Sequence, residues 1–160
     1  MAGQTDPHDR PSPFPWPPML LGACVAAGIA LNLTYKLPWP GLDDTAARAI
    51  GLAIGAAGIA LIVWAAMTLW RHRTTVLPNR GVSALVTDGP YRFRRNPIYI
   101  GDAMVLLGLA EMTKNIWFAI LVPVFVLLVT WLAIIPEERH LEARYGDEWR
   151  AYRDRTRRWL

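Results

Sequence analysis

Two groups of polar residues, separated by an apolar segment, contain the side chains that could do chemistry. The first lies in residues 88–101, where Gly89-Pro90 marks a turn and Pro97 disfavours helical backbone at the residue before it. This stretch carries three arginines and two tyrosines, namely Arg92, Arg94, Arg95, Tyr91 and Tyr99. The second group is the adjacent pair of acids at 137–138. A constrained loop beside apolar sequence is typical of a binding site, because its backbone and side chains need partners.

Simpler explanations exist for both groups. A polybasic segment next to a membrane helix can bind anionic lipid headgroups, which explains the arginines of 88–101. It does not explain the prolines and tyrosines, since a lipid tether needs neither. The acidic pair follows Pro136, a good first residue for a helix, and acids at a helix N-terminus are favoured by the helix dipole. That alternative stays open for Glu137 and Glu138.

The two groups together resemble a known signature. Residues 89–101, GPYRFRRNPIYIG, are similar to the G-x-Y-x-x-x-R-H-P-x-Y-x-G motif of membrane methyltransferases of the isoprenylcysteine carboxyl methyltransferase and phospholipid N-methyltransferase group. The second half of that signature is a glutamate pair followed by a Gly-acidic-aromatic-x-x-Tyr pattern. Here residues 136–138 are PEE and residues 145–152 are YGDEWRAY. The resemblance extends over about residues 74–158, and two ordered motifs make it specific.

The resemblance implies S-adenosylmethionine as cofactor and methyl transfer to a lipid-like acceptor with a carboxylate, amine or thiol. It implies these cofactor-binding residues: Gly89, Tyr91, Arg95, Asn96, Pro97, Tyr99, Gly101, Glu137 and Glu138. For catalysis it implies Asn96 and Arg155, the latter orienting a substrate carboxylate. Asn96 stands where the family has His, and Asn cannot take up a proton near pH 7. We therefore expect Asn96 to cap the following helix and to hydrogen-bond the cofactor.

The residue types suit this ligand. Carboxylates can accept hydrogen bonds from ribose hydroxyls and from the ammonium of the methionine moiety. Arginine binds its carboxylate, and aromatic faces attract a sulfonium. The protein's contribution to catalysis would be mostly positioning and exclusion of water.

Composition and apolar segments predict an all-α integral membrane protein. Of 160 residues, 53% are apolar. Four apolar segments, at 19–35, 49–70, 98–113 and 116–135, predict about four transmembrane helices, the last two forming a hairpin.

The chain divides into a tail and one domain. Six prolines between 7 and 18 predict an extended tail, 1–18. The single domain, 19–160, consists of an N-terminal part, 19–70, and a motif-bearing core, 74–158. The glycines at 51, 55 and 58 lie on one helix face and predict close helix packing. We expect Pro123 to bend the fourth segment.

Charge distribution predicts the topology. If the chain has four spans, 14 of its basic residues lie on one side of the membrane. They are Arg10, six residues between the second and third apolar segments, and seven residues of the tail. Only Lys36, Arg48 and Lys114 lie on the other side. The positive-inside rule places the 14 in the cytoplasm, with both termini and the cofactor site, in a bacterial-type inner membrane. The tail's apolar residues recur at helical spacing and predict a cytoplasmic amphipathic helix on the membrane surface, with a bend at Gly146.

Two other functions fit part of the pattern. A membrane reductase related to the sterol reductases would bind NADPH at a similar core, although such enzymes need more helices. A non-enzymatic scaffold on anionic lipid explains the arginines alone. The single Cys24 excludes an intrachain disulfide, and no His/Cys/Asp/Glu spacing suggests a metal site. We expect membrane lipids and a lipophilic small molecule as partners, and neither metal nor nucleic acid.

Overall fold

The computed structural model describes residues 16–74 and 85–160, and these two ranges contain helices and no strand. The helices are α1 (Trp16–Thr34), α2 (Thr45–Arg71), α3 (Pro97–Thr113), α4 (Ile116–Val129), α5 (Ile135–Tyr145) and α6 (Asp147–Arg155). A 3₁₀ turn, Gly89–Arg92, precedes α3, and a π-helical turn, Thr130–Ile134, joins α4 to α5. The predicted all-α membrane architecture is confirmed.

Three helical runs among the described residues are long and apolar enough to cross a membrane: Pro17–Thr34, Thr45–Arg71 and Ile116–Tyr145. The remaining long helix, α3, has 17 residues. It is therefore about 25 Å long, somewhat less than the roughly 30 Å of a bilayer's hydrocarbon core. The chain is a multi-pass membrane protein, and a fourth full span remains a prediction.

The most extensive contact between two helices is the close packing of α2 against α3. A Cβ added at Gly58 would lie 2.7 Å from the carbonyl oxygen of Gly101, and one added at Gly108 would lie 2.7 Å from the Cα of Gly55. Only glycine allows two helix backbones to approach this closely. The packing surface predicted from the glycines of α2 is confirmed, and its partner is a second set of glycines on α3.

The end of the bundle formed by residues 35–44 and 113–117 is called the loop end. The Lys114 ammonium donates to the carbonyl of Leu42 at 2.6 Å, and the Trp117 indole donates to that of Tyr35 at 2.8 Å. Lys114 has a left-handed backbone, φ 52°, and Asn115 caps α4 by accepting from the Trp117 amide. The predicted hairpin of the third and fourth segments is therefore present, with its reversal at Lys114 and Asn115.

The first helix begins earlier than predicted. α1 starts at Trp16, so Pro17 and Pro18 are helical, whereas the whole stretch 1–18 was expected to be extended. Both prolines lie in the first turn, where a backbone N–H has no intrahelical acceptor and its loss costs nothing. The rest of the predicted tail, residues 1–15, lies outside the described residues, as does Arg80.

The tail continues the last membrane helix. Pro136 does not start a separate helix, since Ile116–Tyr145 runs without a break through the π turn. Gly146 ends α5 with φ 51°, so the predicted bend is present and the amphipathic tail is two short helices. Its apolar stripe packs onto the protein: Leu141, Trp149 and Tyr152 are buried together in one cluster. This packing, which the membrane-surface interpretation did not foresee, folds the tail over residues 88–97. That second end of the bundle, residues 88–97 and 135–160, is called the motif end.

Candidate active site

The turn at 89–92 is fixed against the end of α2. Gly89 has φ 54°, and a Cβ there would lie 2.7 Å from the Thr68 hydroxyl, so both conformation and contact require glycine. Pro90 and Tyr91 are buried, and Tyr91 packs with Ala65 of α2. The predicted constrained loop is therefore seated on a membrane helix.

The tail docks on this loop through backbone groups. The Arg95 amide donates to the carbonyl of Arg157 at 3.0 Å, and the Asn96 side-chain amide donates to that of Arg158 at 3.0 Å. The Tyr152 hydroxyl donates to the carbonyl of Tyr91 at 2.7 Å. These contacts bring the two polar groups of the sequence together at one end of the bundle.

Glu138 lies between two arginines. Its Oε1 accepts from Arg95 Nε at 3.2 Å and from Arg158 Nε at 3.1 Å, and its Oε2 accepts from Arg158 Nη2. The Arg95 and Glu138 side chains are only 11% and 15% exposed. Arg95 also donates to the carbonyls of Arg153 and Thr156, at 2.8 and 2.7 Å. This ion-pair group joins the loop, α5 and the end of the chain, and charged hydrogen bonds of this kind are strong.

Glu137 is in a different situation. It is half-buried, and its carboxylate makes no hydrogen bond or ion pair with any side chain in 16–74 or 85–160. Tyr91, Tyr99 and Tyr152 lie within its electrostatic reach. Burial, with a smaller contribution from the Glu137 carboxylate, raises the pKa of Tyr91 far above its usual value. Tyr91 is therefore a neutral phenol that can donate a hydrogen bond.

Asn96 does not cap α3 as predicted. It occupies the N-cap position, but its φ of −125° and ψ of 56° differ from usual cap geometry and its side chain makes no capping hydrogen bond. The side-chain amide of Asn96 donates instead to the carbonyl of Arg158. Pro97 has no N–H, so the first turn of α3 offers fewer donors to cap.

Three further predicted residues have other roles in the structure. Gly101 allows α3 to approach α2, because a Cβ there would lie 2.5 Å from Ile62 Cγ1. Pro97 is buried at the start of α3. Arg155 is exposed on α6, with its guanidinium 5.7 Å from the centre of the Tyr152 ring. Their assignment to cofactor or substrate remains a prediction.

Sequence reasoning missed Arg158 and Trp159. Arg158 pairs with Glu138, and the Trp159 indole donates to the Thr130 hydroxyl of the π turn at 3.2 Å. Trp159 belongs to the apolar stripe of the tail, which was recognised. Nothing in the sequence distinguishes Arg158 from the six other arginines of the tail.

Within the described parts of the chain, no group of three or more His, Cys, Asp and Glu side chains could hold a metal ion. The Cys24 thiol is buried in the core cluster of α1, α3 and α4.

Comparison with known proteins identifies the family. The nickel-cobalt-cadmium resistance protein NccN of Alcaligenes xylosoxydans xylosoxydans is 33% identical over 119 residues, which are 71% of this chain and 51% of NccN. An uncharacterized protein of Haemophilus influenzae is 33% identical over 65 residues, 39% of this chain and 100% of that protein. No solved structure shows significant similarity.

The chain thus spans about half the length of NccN. The model of the phospholipid methyltransferase family matches residues 46–148, which include both polar groups and end before Arg155 and Arg158. Since that match covers well over half of a chain whose two motifs meet at one end of a membrane bundle, the protein belongs to the phospholipid methyltransferase family.

Proposed function

We propose that the protein transfers a methyl group from S-adenosylmethionine to a membrane-partitioned acceptor, a carboxylate, an amine or a thiol, at the motif end. The family supports methyl transfer, and the observation that carries the cofactor is the half-buried carboxylate of Glu137, which has no partner among the described residues. The adjacent Glu138 is paired with two arginines, so the chain itself satisfies one acid of the pair and leaves the other for a ligand.

The surroundings of Glu137 suit a cationic ligand. A carboxylate in a partly buried site is stabilised by a positive partner, and the ammonium and sulfonium of S-adenosylmethionine are both positive. Glu137 would accept hydrogen bonds from the ammonium or from a ribose hydroxyl. The Tyr91 and Tyr99 rings would lie beside the sulfonium, where aromatic faces stabilise a cation. The bound cofactor supplies the electrophilic methyl group.

Arg95 and Arg158 act as positioning residues in this proposal. They hold Glu138 and the end of the chain on the loop, so that Glu137 and the tyrosines keep their geometry and water is excluded. A lipid-like acceptor would reach the methyl group from the bilayer, between helices. With the positive side inward, this end would face the cytoplasm.

We do not propose that this chain binds the metals in NccN's name. The match covers 51% of that protein, and the described residues contribute no metal-holding group.

The test is calorimetric binding of S-adenosylhomocysteine to the detergent-solubilised full chain. Wild type should bind it and should not bind NADPH. Glu137→Gln removes a charge-assisted hydrogen bond and should weaken binding about tenfold or more. Glu148→Gln, an exposed acid of the same tail, is the matched control and should bind as wild type does.

Three outcomes would contradict the proposal: no binding by folded wild-type protein, NADPH binding in its place, or equal affinity of Glu137→Gln and wild type. Circular dichroism and size-exclusion chromatography of each variant would establish that it is folded.

A further inference from the structure

Asp102 is a buried acid that the proposed cofactor site does not use. It is 6% exposed and lies in the second turn of α3. Its carboxylate makes no hydrogen bond or ion pair with any residue in 16–74 or 85–160. An ionisable side chain inside a membrane bundle is costly to bury, and such residues typically mark a binding site or a transport path.

The helix register places Asp102 beside Tyr99. Tyr99 and Leu106 belong to the core cluster that includes Ala133 and Ile134 of the π turn, so this face of α3 points to the last membrane helix. Asp102 follows Tyr99 by three residues and precedes Leu106 by four, and residues at these spacings are neighbours on a helix surface. Since α3 begins at the motif end, Asp102 lies about 4.5 Å deeper in the bundle than Tyr99.

Glu137 lies close to the same tyrosine. Ile134, which shares the core cluster of Tyr99, is three residues before Glu137 in the continuous run Ile116–Tyr145. The carboxylates of Glu137 and Asp102 both lie within electrostatic reach of the Tyr99 hydroxyl. Tyr99 therefore has two acids near its ring, and neither acid has a partner among the described residues.

The carboxylates of these two acids can be contacted by a ligand. In the described part of the chain, two side-chain polar atoms are both sealed from solvent and unbonded, namely Trp39 Nε1 and His140 Nε2. The oxygens of Asp102 and Glu137 are not among these sealed atoms. Each carboxylate therefore keeps a small accessible surface, although the Asp102 residue as a whole is buried.

A positive partner for Asp102 is not supplied by the arginines of the ion-pair group, because Arg95 and Arg158 both bind Glu138. A carboxylate beside an aromatic ring in apolar surroundings suits a weakly hydrated cation that has no N–H groups to satisfy. A sulfonium is such a cation. A metal ion would need more oxygen ligands than one acid and one phenol offer, and the described residues contribute no group of three His, Cys, Asp and Glu.

We propose that Asp102 is the residue by which the site distinguishes the sulfonium of S-adenosylmethionine from the neutral thioether of S-adenosylhomocysteine. The inference rests on the proposed function and gives the two acids different tasks. Glu137 binds the ammonium or the ribose, which both ligands have, and Asp102 faces the sulfur.

The charge of the sulfur changes in the reaction. The lone pair of the acceptor forms a bond to the methyl carbon, and the electron pair of the broken carbon–sulfur bond stays on the sulfur, which becomes neutral. Asp102 then loses its cationic partner. Its carboxylate therefore favours binding of the methyl donor and release of the demethylated product.

Calorimetric binding of three ligands to the detergent-solubilised full chain tests this role. They are S-adenosylmethionine, S-adenosylhomocysteine and sinefungin, in which a carbon bearing an ammonium replaces the methylated sulfur and no methyl group can be transferred. Asp102→Asn removes the charge with little change of shape. It should weaken the two cationic ligands about tenfold, the effect of losing an opposite charge nearby, and S-adenosylhomocysteine less than about twofold.

Further variants separate charge from structure. Asp102→Ala is a second neutral variant and should show the same difference between ligands, whereas Asp102→Glu keeps the charge and should retain most of the preference. Glu137→Gln should weaken all three ligands alike, because the groups it binds are common to them. Glu148→Gln, which removes a charge from the exposed surface of the tail, should change none.

Circular dichroism and size-exclusion chromatography establish that each variant is folded. If wild type binds S-adenosylhomocysteine but the neutral variants of Asp102 weaken all three ligands equally, or weaken none, the role of Asp102 is wrong and the proposed function stands. If folded wild type binds none of the three, the cofactor itself is wrong and this inference fails with it.

Discussion

At the scale of single residues, two adjacent glutamates have different surroundings. Glu138 is held by Arg95 and Arg158, and Glu137 has no such partner in the described residues. Removing one partner from a half-buried ion pair leaves charge without compensation, which costs more than the pair itself contributes. In the proposed function, Glu138 is therefore a structural acid and Glu137 is the acid that binds the ligand.

Arg158→Ala tests the structural role of Glu138. The change removes two charged hydrogen bonds but leaves the backbone carbonyl that accepts from Asn96, so the free energy of unfolding should fall by about 1–3 kcal/mol. Arg157→Ala is the control, since that side chain is exposed and such changes usually stay within about 0.5 kcal/mol. Thermal unfolding in detergent measures both, and equal melting temperatures for the two variants would refute the pairing.

The sequence could indicate the acidic pair but not its division of roles. Both residues are glutamates, so the sequence does not distinguish them. They differ in the structure because Arg158 pairs with Glu138, and the position of Arg158 depends on how the chain folds back after α6. Asn96 shows the same limit. An asparagine followed by a proline suggested a helix cap. In the structure the side-chain amide of Asn96 instead donates a hydrogen bond to the carbonyl of Arg158 in the docked tail. The two residues of this hydrogen bond are 62 positions apart, so no local sequence pattern predicts it.

At the scale of helices, the glycine interface between α2 and α3 has a direct consequence for the site. α2 carries the surface on which Tyr91 packs, and α3 begins directly after the loop. The spacing between these two helices therefore sets the position of the loop between them. Backbone contacts at Gly55 and Gly108 leave no room for the helices to approach more closely.

Gly108→Ala should separate the two helices. The new Cβ would meet Gly55 backbone atoms at 2.7–2.8 Å, and backbone cannot move aside as a flexible side chain can. Overpacking of this kind costs about 1–3 kcal/mol, which should exceed the gain of nearly 1 kcal/mol that alanine gives over glycine in a helix. Thermal unfolding compares it with Gly22→Ala in α1, where nothing lies within 4 Å of the added atom. Similar stability of the two variants would mean that the helices are not in close contact.

Helices were predicted well where hydrophobic pattern and small residues decide, and less well where a proline was taken as a boundary. The glycine stripe of α2 gave the interface directly. Pro17, Pro18 and Pro136 were treated as limits. Pro17 and Pro18 lie in the first turn of α1, where proline is tolerated. Pro136 lies inside the continuous helical run Ile116–Tyr145, directly after the π turn. The π turn at 130–134 carries no sequence signal of its own. It is accompanied by the Trp159–Thr130 hydrogen bond, which only the folded tail provides.

At the scale of the whole molecule, the bundle has two chemically different ends. The motif end carries the arginine-rich loop and tail, and the loop end carries balanced charge around an apolar cavity. Lys36 and Lys114 belong to the loop end, and Arg48, in the first turn of α2, forms an ion pair with Asp43 of that end. For the described residues, the grouping of charges used to predict topology therefore agrees with the folded arrangement, while the sidedness itself remains a prediction.

Cysteine labelling decides the sidedness. With Cys24 replaced by alanine, a single cysteine is introduced by Asp43→Cys at the loop end or by Glu148→Cys at the motif end; both positions are exposed. Because 14 of the 17 basic residues are assigned to the motif end and its flanking segments, the positive-inside rule places that end in the cytoplasm. A membrane-impermeant maleimide added to intact cells should label the Asp43→Cys protein at once. The Glu148→Cys protein should react only after the membrane is permeabilised. The reverse pattern would place the proposed cofactor site outside the cytoplasm, away from the cellular supply of a nucleoside-containing cofactor, and would contradict the topology and the proposed function together.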